Sequence, residues 1–397
     1  MIDSREQLAA FVARVDPEDR IAFDTEFISE GRYRPQLCLI QVATGREMAM
    51  IDALAVEDLT PFWELLVGKD REVIVHAGRS EMEFCYLGVG KIPERVFDVQ
   101  LAAGFVGIEY PAGFRTLVSR LVGIDLPKGE TRTDWRRRPL SQRQIEYAIN
   151  DVRYLHQMAA TLQQMLLSAG RMGWYEEEFA TLRARLKNDL VVARWRSTSG
   201  IGSMRRRELA IVRELWLWRD RIAQERNCPP SRVLRNDLIV EMARRRTADP
   251  KRIRAVRGLH RSDLKKHLEA ISEAIQKGLD LSEEKLPKQA TAATYPQFPL
   301  LGQFLFSALG CICRNQSLSS GLVGTTTDIR ELAASRLGYL PAKHRPKLDQ
   351  GWRKEVVGNV VDDLLAGKYA LGIADPRDDQ PLELFSLEEK TVKPTSP

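Results

Sequence analysis

The stretch IAFDTEF, residues 21–27, sets two carboxylates, Asp24 and Glu26, into an apolar run. Ile21, Ala22, Phe23 and Phe27 flank the pair, so residues 20–27 read as a buried strand. Residues two apart in a strand share a face, so Asp24 and Glu26 project together and Thr25 points the other way. Acids at the end of a buried strand cost desolvation energy unless a cation meets them. Further along, SQRQIEYAINDVRYLHQMAATLQQML, residues 141–166, carries an apolar stripe at Ile145, Ala148, Val152, Leu155 and Met158 and reads as one helix. On it Tyr147 and Asp151 stand four apart, on one face and one turn from each other. Between these segments lies VHAGRSEMEF, residues 75–84, with Glu81 and Glu83.

Taken singly, a D-x-E in a strand is usually a solvated edge, and a Y-x-x-x-D on a helix says less. Their joint order, with each acid embedded in apolar sequence, points to a shared pocket. Carboxylates converging in such a pocket hold two divalent metals, the apparatus that cuts phosphodiesters.

A family resemblance rests on FDTEF (23–27), YRPQLCLIQVAT (33–44), VHAG (75–78), FDVQLAAGFVG (97–107) and TRTDWRRRPLSQRQIEYAINDVRYL (131–155). Together these resemble the ribonuclease D family, the tyrosine-containing subgroup of the DEDD superfamily of 3′→5′ exonucleases. The run R-T-D-W-x-x-R-P-L before the Y-x-x-x-D helix is its most specific mark. The resemblance implies a ribonuclease-H-like α/β domain with a mixed sheet, followed by two all-α helical domains. It implies two divalent metal ions, Mg2+ or Mn2+, with Asp24, Glu26, Asp151 and Glu81 as the metal-site acids and Tyr147 orienting the attacking water. Nucleoside 5′-monophosphates would leave one at a time from an RNA 3′ end, as in the 3′ maturation of tRNA precursors or other structured RNA.

One position departs from the family pattern. Counting from His76, the third metal-site acid is expected to be an aspartate, and here it is Glu81. One extra methylene changes reach and rotamer cost, and magnesium demands near-ideal octahedral geometry. The swap therefore predicts lower activity or a shift toward manganese. Glu83, two helical steps on, faces about 200° away. Asp98 reads as the cap of the helix that follows it.

Among 397 residues, 60 Lys and Arg against 54 Asp and Glu leave a net charge of +6, which suits a polyanionic partner. Arg132, Arg136, Arg137 and Arg138 cluster around Trp135, with Lys128 nearby, and read as a phosphate clamp beside the acids; the competing reading is a solvated loop anchored by a packed tryptophan. The five cysteines are odd in number and scattered, as reduced cytoplasmic thiols are, and Cys311-x-Cys313 has no second pair to make a zinc site. No secretory core or membrane-spanning run is expected, since residues 4–12 read as a short capped amphipathic helix. No obligate protein partner is evident.

The expected organisation is an exonuclease domain at 1–195, a linker at 196–204, an HRDC-like helical domain at 205–280, a second linker at 281–297, a C-terminal helical domain at 298–376 and a disordered tail at 377–397. Short strands are expected at 20–27, 37–43, 47–52 and 73–76, with a hairpin turn at Gly45-Arg46. Pro229-Pro230 should break the helical domain's first helix, and Asn236-Asp237 should cap the next. Two alternatives stand beside the exoribonuclease reading. One is a DNA 3′→5′ exonuclease, against which the R-T-D-W-x-x-R-P-L match argues. The other is a catalytically impaired RNA-binding relative, made conceivable by Glu81 and opposed by the retention of Asp24, Glu26, Tyr147 and Asp151.

Overall fold

The computed structural model describes residues 1–68, 71–127, 133–191, 194–258, 266–289, 298–341, 343–378 and 380–387. The chain divides into two compact units, one of Met1–Glu26, Leu39–Arg185 and Tyr295–Pro397, the other of Phe27–Cys38 and Leu186–Thr294.

The first unit is built on a five-stranded sheet in the order β3-β2-β1-β4-β5, with β1 at Arg20–Ile28, β2 at Gln36–Ala43, β3 at Met48–Asp52, β4 at Glu72–Val75 and β5 at Arg95–Asp98. β2 and β3 form the expected antiparallel hairpin across Gly45-Arg46, while β1/β4 and β4/β5 are parallel. The sheet is thus mixed, and the strand with Asp24 and Glu26 is its centre. β5 was not expected. Its four residues carry no alternation long enough to separate them from the helix that follows.

Phe23 anchors β1 by packing edge-on against Phe62 and Trp63, with ring centroids 5.9 and 6.3 Å away, on α2 (Thr60–Leu66). After α1 (Arg5–Val15) and α2 come α3 (Arg79–Val89), α4 (Val99–Phe105) and α5 (Phe114–Val122). The long helix expected over 141–166 is broken into α6 (Gln142–Arg153) and α7 (Leu155–Ser168) at Tyr154, so Asp151 lies in the last turn of α6. Most of the expected stripe is nonetheless buried: Ala148, Val152, Leu155 and Met158 are enclosed, and Ile145 is half-buried. α8 runs from Met172 to Val191.

The helical unit consists of α9 (Arg206–Glu225), α10 (Pro230–Val233), α11 (Asn236–Arg245), α12 (Pro250–Arg254) and α13 (Leu268–Asp280) around a core that includes Ile211, Leu215, Ile239 and Ile271. α9 ends before Pro229-Pro230, as the sequence implies. Asn236 does not cap α11. The N-cap position is Arg235, and the Asn236 side chain accepts at 2.7 Å from Arg219, a buried guanidinium that also donates to the Leu234 carbonyl. Burying that cation demanded an acceptor, and this outweighed the capping preference.

The C-terminal segment belongs to the same compact unit as the sheet. It contains α14 (Phe298–Asn315), α15 (Ser320–Val323), α16 (Thr326–Arg336) and a helical run from Gly351 through a π turn at Lys354–Gly358 to Leu365. It is not purely helical. β6 (Tyr369–Ile373) and β7 (Leu382–Ser386) pair antiparallel, and β7 lies inside the stretch expected as a disordered tail, where Leu384 and Phe385 supply the apolar positions a strand needs. Residues 388–397 lie outside the described residues.

This segment is fastened to the sheet-bearing part by Gly351-Trp352-Arg353. The Trp352 ring, fully buried, lies 4.8 Å from Phe105, and its indole nitrogen donates at 3.0 Å to Glu178 of α8. Arg353 forms a two-pronged ion pair with the same Glu178, both side chains being more than nine-tenths buried, and it also donates to the Val323 carbonyl. Breaking one half of a buried pair strands the other charge, at a cost of about 3–5 kcal/mol. Arg353→Met is therefore expected to lower the urea-unfolding stability of the whole chain by that amount. Adding Glu178→Gln should restore part of it; a single variant with an unchanged midpoint would contradict this account.

Candidate active site

β1 delivers Asp24 and Glu26 just beyond the point where its pairing with β4, Ala22 against Ile74, is last registered. α6 delivers Asp151. One oxygen from each of Asp24, Glu26 and Asp151 lies within 4.8 Å of the others, a spacing that suits shared ligation of a metal ion. Tyr147 stands one turn before Asp151 and its hydroxyl donates a hydrogen bond to that carboxylate. The α6 register is set at its start. Ser141 accepts from the Gln144 amide, Gln144 returns a bond to the Ser141 amide at 2.9 Å, and its side chain also donates to Thr133. This capping box was present in the sequence as Ser141-x-x-Gln144 and was not used there.

Glu81 comes to the site by a different route. β4 ends in Val75, and the chain turns through Ala77, which has a positive φ of 54°, into α3. Gly78 has no room for a side chain, because a Cβ there would collide with Val75. Asp98 holds this turn: its two carboxylate oxygens accept from the amides of Ala77 and Gly78, both at 3.0 Å, while also capping α4 through Gln100 and Leu101. Its expected capping role is therefore only half of what it does.

Glu81 then sits in the first turn of α3, buried, and its carboxylate accepts at 2.6 Å from the Thr25 hydroxyl. It is not one of the three clustered oxygens. Even so, of the three neighbouring acids Glu81 acts most strongly on Asp24. The longer side chain is tied to the strand residue between the two acids while its charge still bears on the site. Glu83 shows no resolved role. Thr25 went unrecognised in the sequence because nothing in a D-T-E triplet shows what the middle hydroxyl will meet.

The electrostatics are those of anions held together. Burial first, then Glu81, Asp151 and Glu26, push the Asp24 carboxyl well above the usual carboxylate range. Glu26 is pushed up to about 8 by burial and by Asp151 and Glu81. Asp151 rises to about 7 through burial, opposed by the Tyr147 hydroxyl, and Glu81 to about 7 through burial, opposed by Thr25. Burial and the same carboxylates raise the Tyr147 phenol too, so it remains a hydrogen-bond donor. The charges pressing on Asp24, Glu26 and Glu81 are those of other carboxylates. An all-oxygen donor set of this kind fits a hard divalent cation.

The basic cluster is arranged otherwise than expected. Trp135 is buried, with its ring 6.1 Å from that of Tyr147, so it supports the site rather than offering a face to bases. Arg138 makes a two-pronged ion pair with Asp52 of β3 and donates to the carbonyls of Trp135 and Arg137, and Arg136 pairs with Asp134. Arg138 thus meets the buried Asp52, while Arg136 stays exposed on a surface pair, and the run of arginines conceals which one takes the aspartate. Arg137 is exposed. Lys128 and Arg132 lie outside the described residues.

A 3′-5′ exonuclease family model matches residues 1–167, and an HRDC domain model matches residues 208–275. The chain is 31% identical to ribonuclease D of Nitrobacter hamburgensis over 95% of its own length and 98% of the relative's. It belongs to the ribonuclease D family. Ribonuclease D of Granulibacter bethesdensis is 33% identical, with 94% of each chain covered. The crystal structure of Escherichia coli RNase D, described as an exoribonuclease involved in structured RNA processing, superposes with a TM-score of 0.78 at 29% identity, covering 92% of this chain and 98% of that one. The chain is accordingly a hydrolytic 3′→5′ exoribonuclease with an acidic metal-type site. No helix among the described residues is long and apolar enough to cross a membrane.

A carboxyl group whose pKa is raised on folding binds its proton more tightly in the native state. Its destabilisation is absent below the unfolded value and grows as pH rises through the folded one. The window here runs from the ordinary carboxyl values of 3.8 and 4.5 up to about 7 and 8. Chelator-treated protein is therefore expected to melt at a lower temperature at pH 8 than at pH 5.5. Asp24→Asn should raise the pH 8 melting point by a few degrees and abolish most of the further rise that divalent ions give the native chain. Scanning calorimetry with and without EDTA checks both, and a variant less stable than the native chain at pH 8 would refute the account.

Proposed function

We propose that the chain trims RNA 3′ ends, such as those of tRNA precursors or other structured RNA in the cytoplasm, by hydrolysis with two divalent ions, Mg2+ or Mn2+. The observation that carries this reading is the convergence of Asp24, Glu26 and Asp151 within 4.8 Å, with Glu81 adding further negative charge on Asp24. When bound, the ions supply an activated water and neutralise charge on the departing 3′ oxygen. Asp24, Glu26 and Asp151 would bind the first ion, with Asp24 shared by the second. Tyr147, kept protonated by its acidic surroundings, holds Asp151 through its hydroxyl and presents the same group to the attacking water. Thr25 fixes Glu81 outside the three clustered oxygens, and from there its charge acts on Asp24. No covalent intermediate is called for, and the product is a nucleoside 5′-monophosphate.

The retained set favours catalysis over the impaired-relative reading, because Glu81 keeps its electrostatic hold on Asp24 despite its length. Time-resolved digestion of a 3′-extended RNA, with Mg2+ or Mn2+, tests the proposal. Mononucleotide should accumulate with the native chain and not with Asp24→Asn, which should still bind RNA. The absence of mononucleotide with either metal would leave only binding.

Tyr147→Phe is expected to slow single-turnover cleavage by about 10²-fold or more while changing RNA affinity little. An unchanged single-turnover rate would remove its role at the water. Glu81→Asp should keep or raise the magnesium-supported rate; loss of all activity would mean the site has adapted to the longer acid.

A further inference from the structure

The helical unit holds more than its own helices. It includes residues 27–38, which follow Glu26 directly and run from the last two residues of β1 into the start of β2. Tyr33 secures it: the phenol donates at 2.9 Å to Asp220 and accepts at 2.9 Å from Gln224, and the Tyr33 amide donates to Asn227 at 3.3 Å. The ring packs against the helical core. A cavity of about 420 Å³ opens beside this anchor, walled by Arg32 and Arg34 from the loop, Gln36 at the start of β2, and Gln224 and Asn227 from the end of α9.

Its chemistry is one-sided. Arg32 and Arg34 form no ion pair with any described residue, unlike Arg136 and Arg138. Exposed Arg232 brings another guanidinium alongside, 3.8 Å from where a Cβ on Gly31 would lie. The Gln36 side-chain oxygen, Oε1, is enclosed and has no hydrogen-bond partner among the described residues. Unmatched guanidiniums bind phosphate, and side-chain amides pair with hydroxyls or base edges, which is the mixture a single nucleic-acid strand presents. Along the chain, only six residues separate Glu26 from Arg32, a contour of at most about 22 Å.

We propose that this cavity is a subsite for the RNA backbone on the 5′ side of the nucleotide being removed, with Arg32 and Arg34 taking phosphates and the amides of Gln36 and Asn227 facing the sugars and bases. The proposal rests on the exoribonuclease reading above and extends it to where the strand is held.

Substrate length gives the test. A dinucleotide with a free 5′ hydroxyl carries only its scissile phosphate and has none to give the loop. The paired variant Arg32→Gln/Arg34→Gln is measured in two ways. Binding of a 5′-labelled single-stranded RNA of about a dozen nucleotides is titrated against salt in the Asp24→Asn background. Turnover of the dinucleotide and of the same RNA is measured in the native background.

The expected result is a tenfold or greater loss of RNA affinity at low salt, and a log–log salt slope shallower by about 1.4, from about 0.7 per lost phosphate contact. The Michaelis constant should rise for the longer RNA far more than for the dinucleotide. Arg32→Lys/Arg34→Lys should keep the native slope. An unchanged slope and affinity would make the loop a purely structural anchor, and equal losses on both substrates would place the arginines' effect elsewhere; either overturns the subsite. Native protein that never cleaves the dinucleotide or the RNA would instead defeat the parent reading, whatever the binding data show.

Discussion

Mutual repulsion among enclosed carboxylates is the constraint around which this fold is organised. Asp24, Glu26, Glu81 and Asp151 come from a central strand, the start of one helix and the end of another, and each is driven toward its neutral form by burial and, at Asp24 and Glu26, by the other acids. Such a cluster opposes folding, and something stiffer has to hold it. The aromatic packing of Phe23 holds β1, the Ser141–Gln144 box holds α6, and Asp98 holds the turn into α3. Stability is invested away from the cluster so that the cluster itself remains poised for a cation.

Much of this could be read from the amino-acid order. Strand parity put Asp24 and Glu26 on one face, helical spacing put Tyr147 over Asp151, and apolar neighbours separated these acids from ordinary surface charge. The β2–β3 hairpin followed from its turn residues, and the start of α4 from Asp98 as its cap. Local pattern was less informative where a long-range partner decided the outcome. Arg138 and Arg136 look alike in a run of arginines, and only the fold shows that one faces a buried aspartate on β3. Asn236 has every mark of a cap, yet a buried guanidinium claims its side chain. β5 runs straight into the helix that follows it, and β7 lies in a stretch rich in Asp, Glu and Pro, so neither stood out.

Glu81 shows how a departure from family pattern can be absorbed. A longer acid in a fixed pocket either pushes its neighbours or folds back. Here it bonds to Thr25, a side chain whose strand parity would seem to exclude it from the site. The two alternating faces of β1 therefore both contribute, one through carboxylates and the other through the hydroxyl that steadies the third acid.

Glu178 and the Gly351-Trp352-Arg353 segment make the carboxyl-terminal part a wall of the catalytic body rather than an appendage. The two halves of that wall stand 175 residues apart in the sequence. During synthesis Glu178 is therefore an anion without its guanidinium, and Phe105 an aromatic without its cover, until the later segment has left the ribosome.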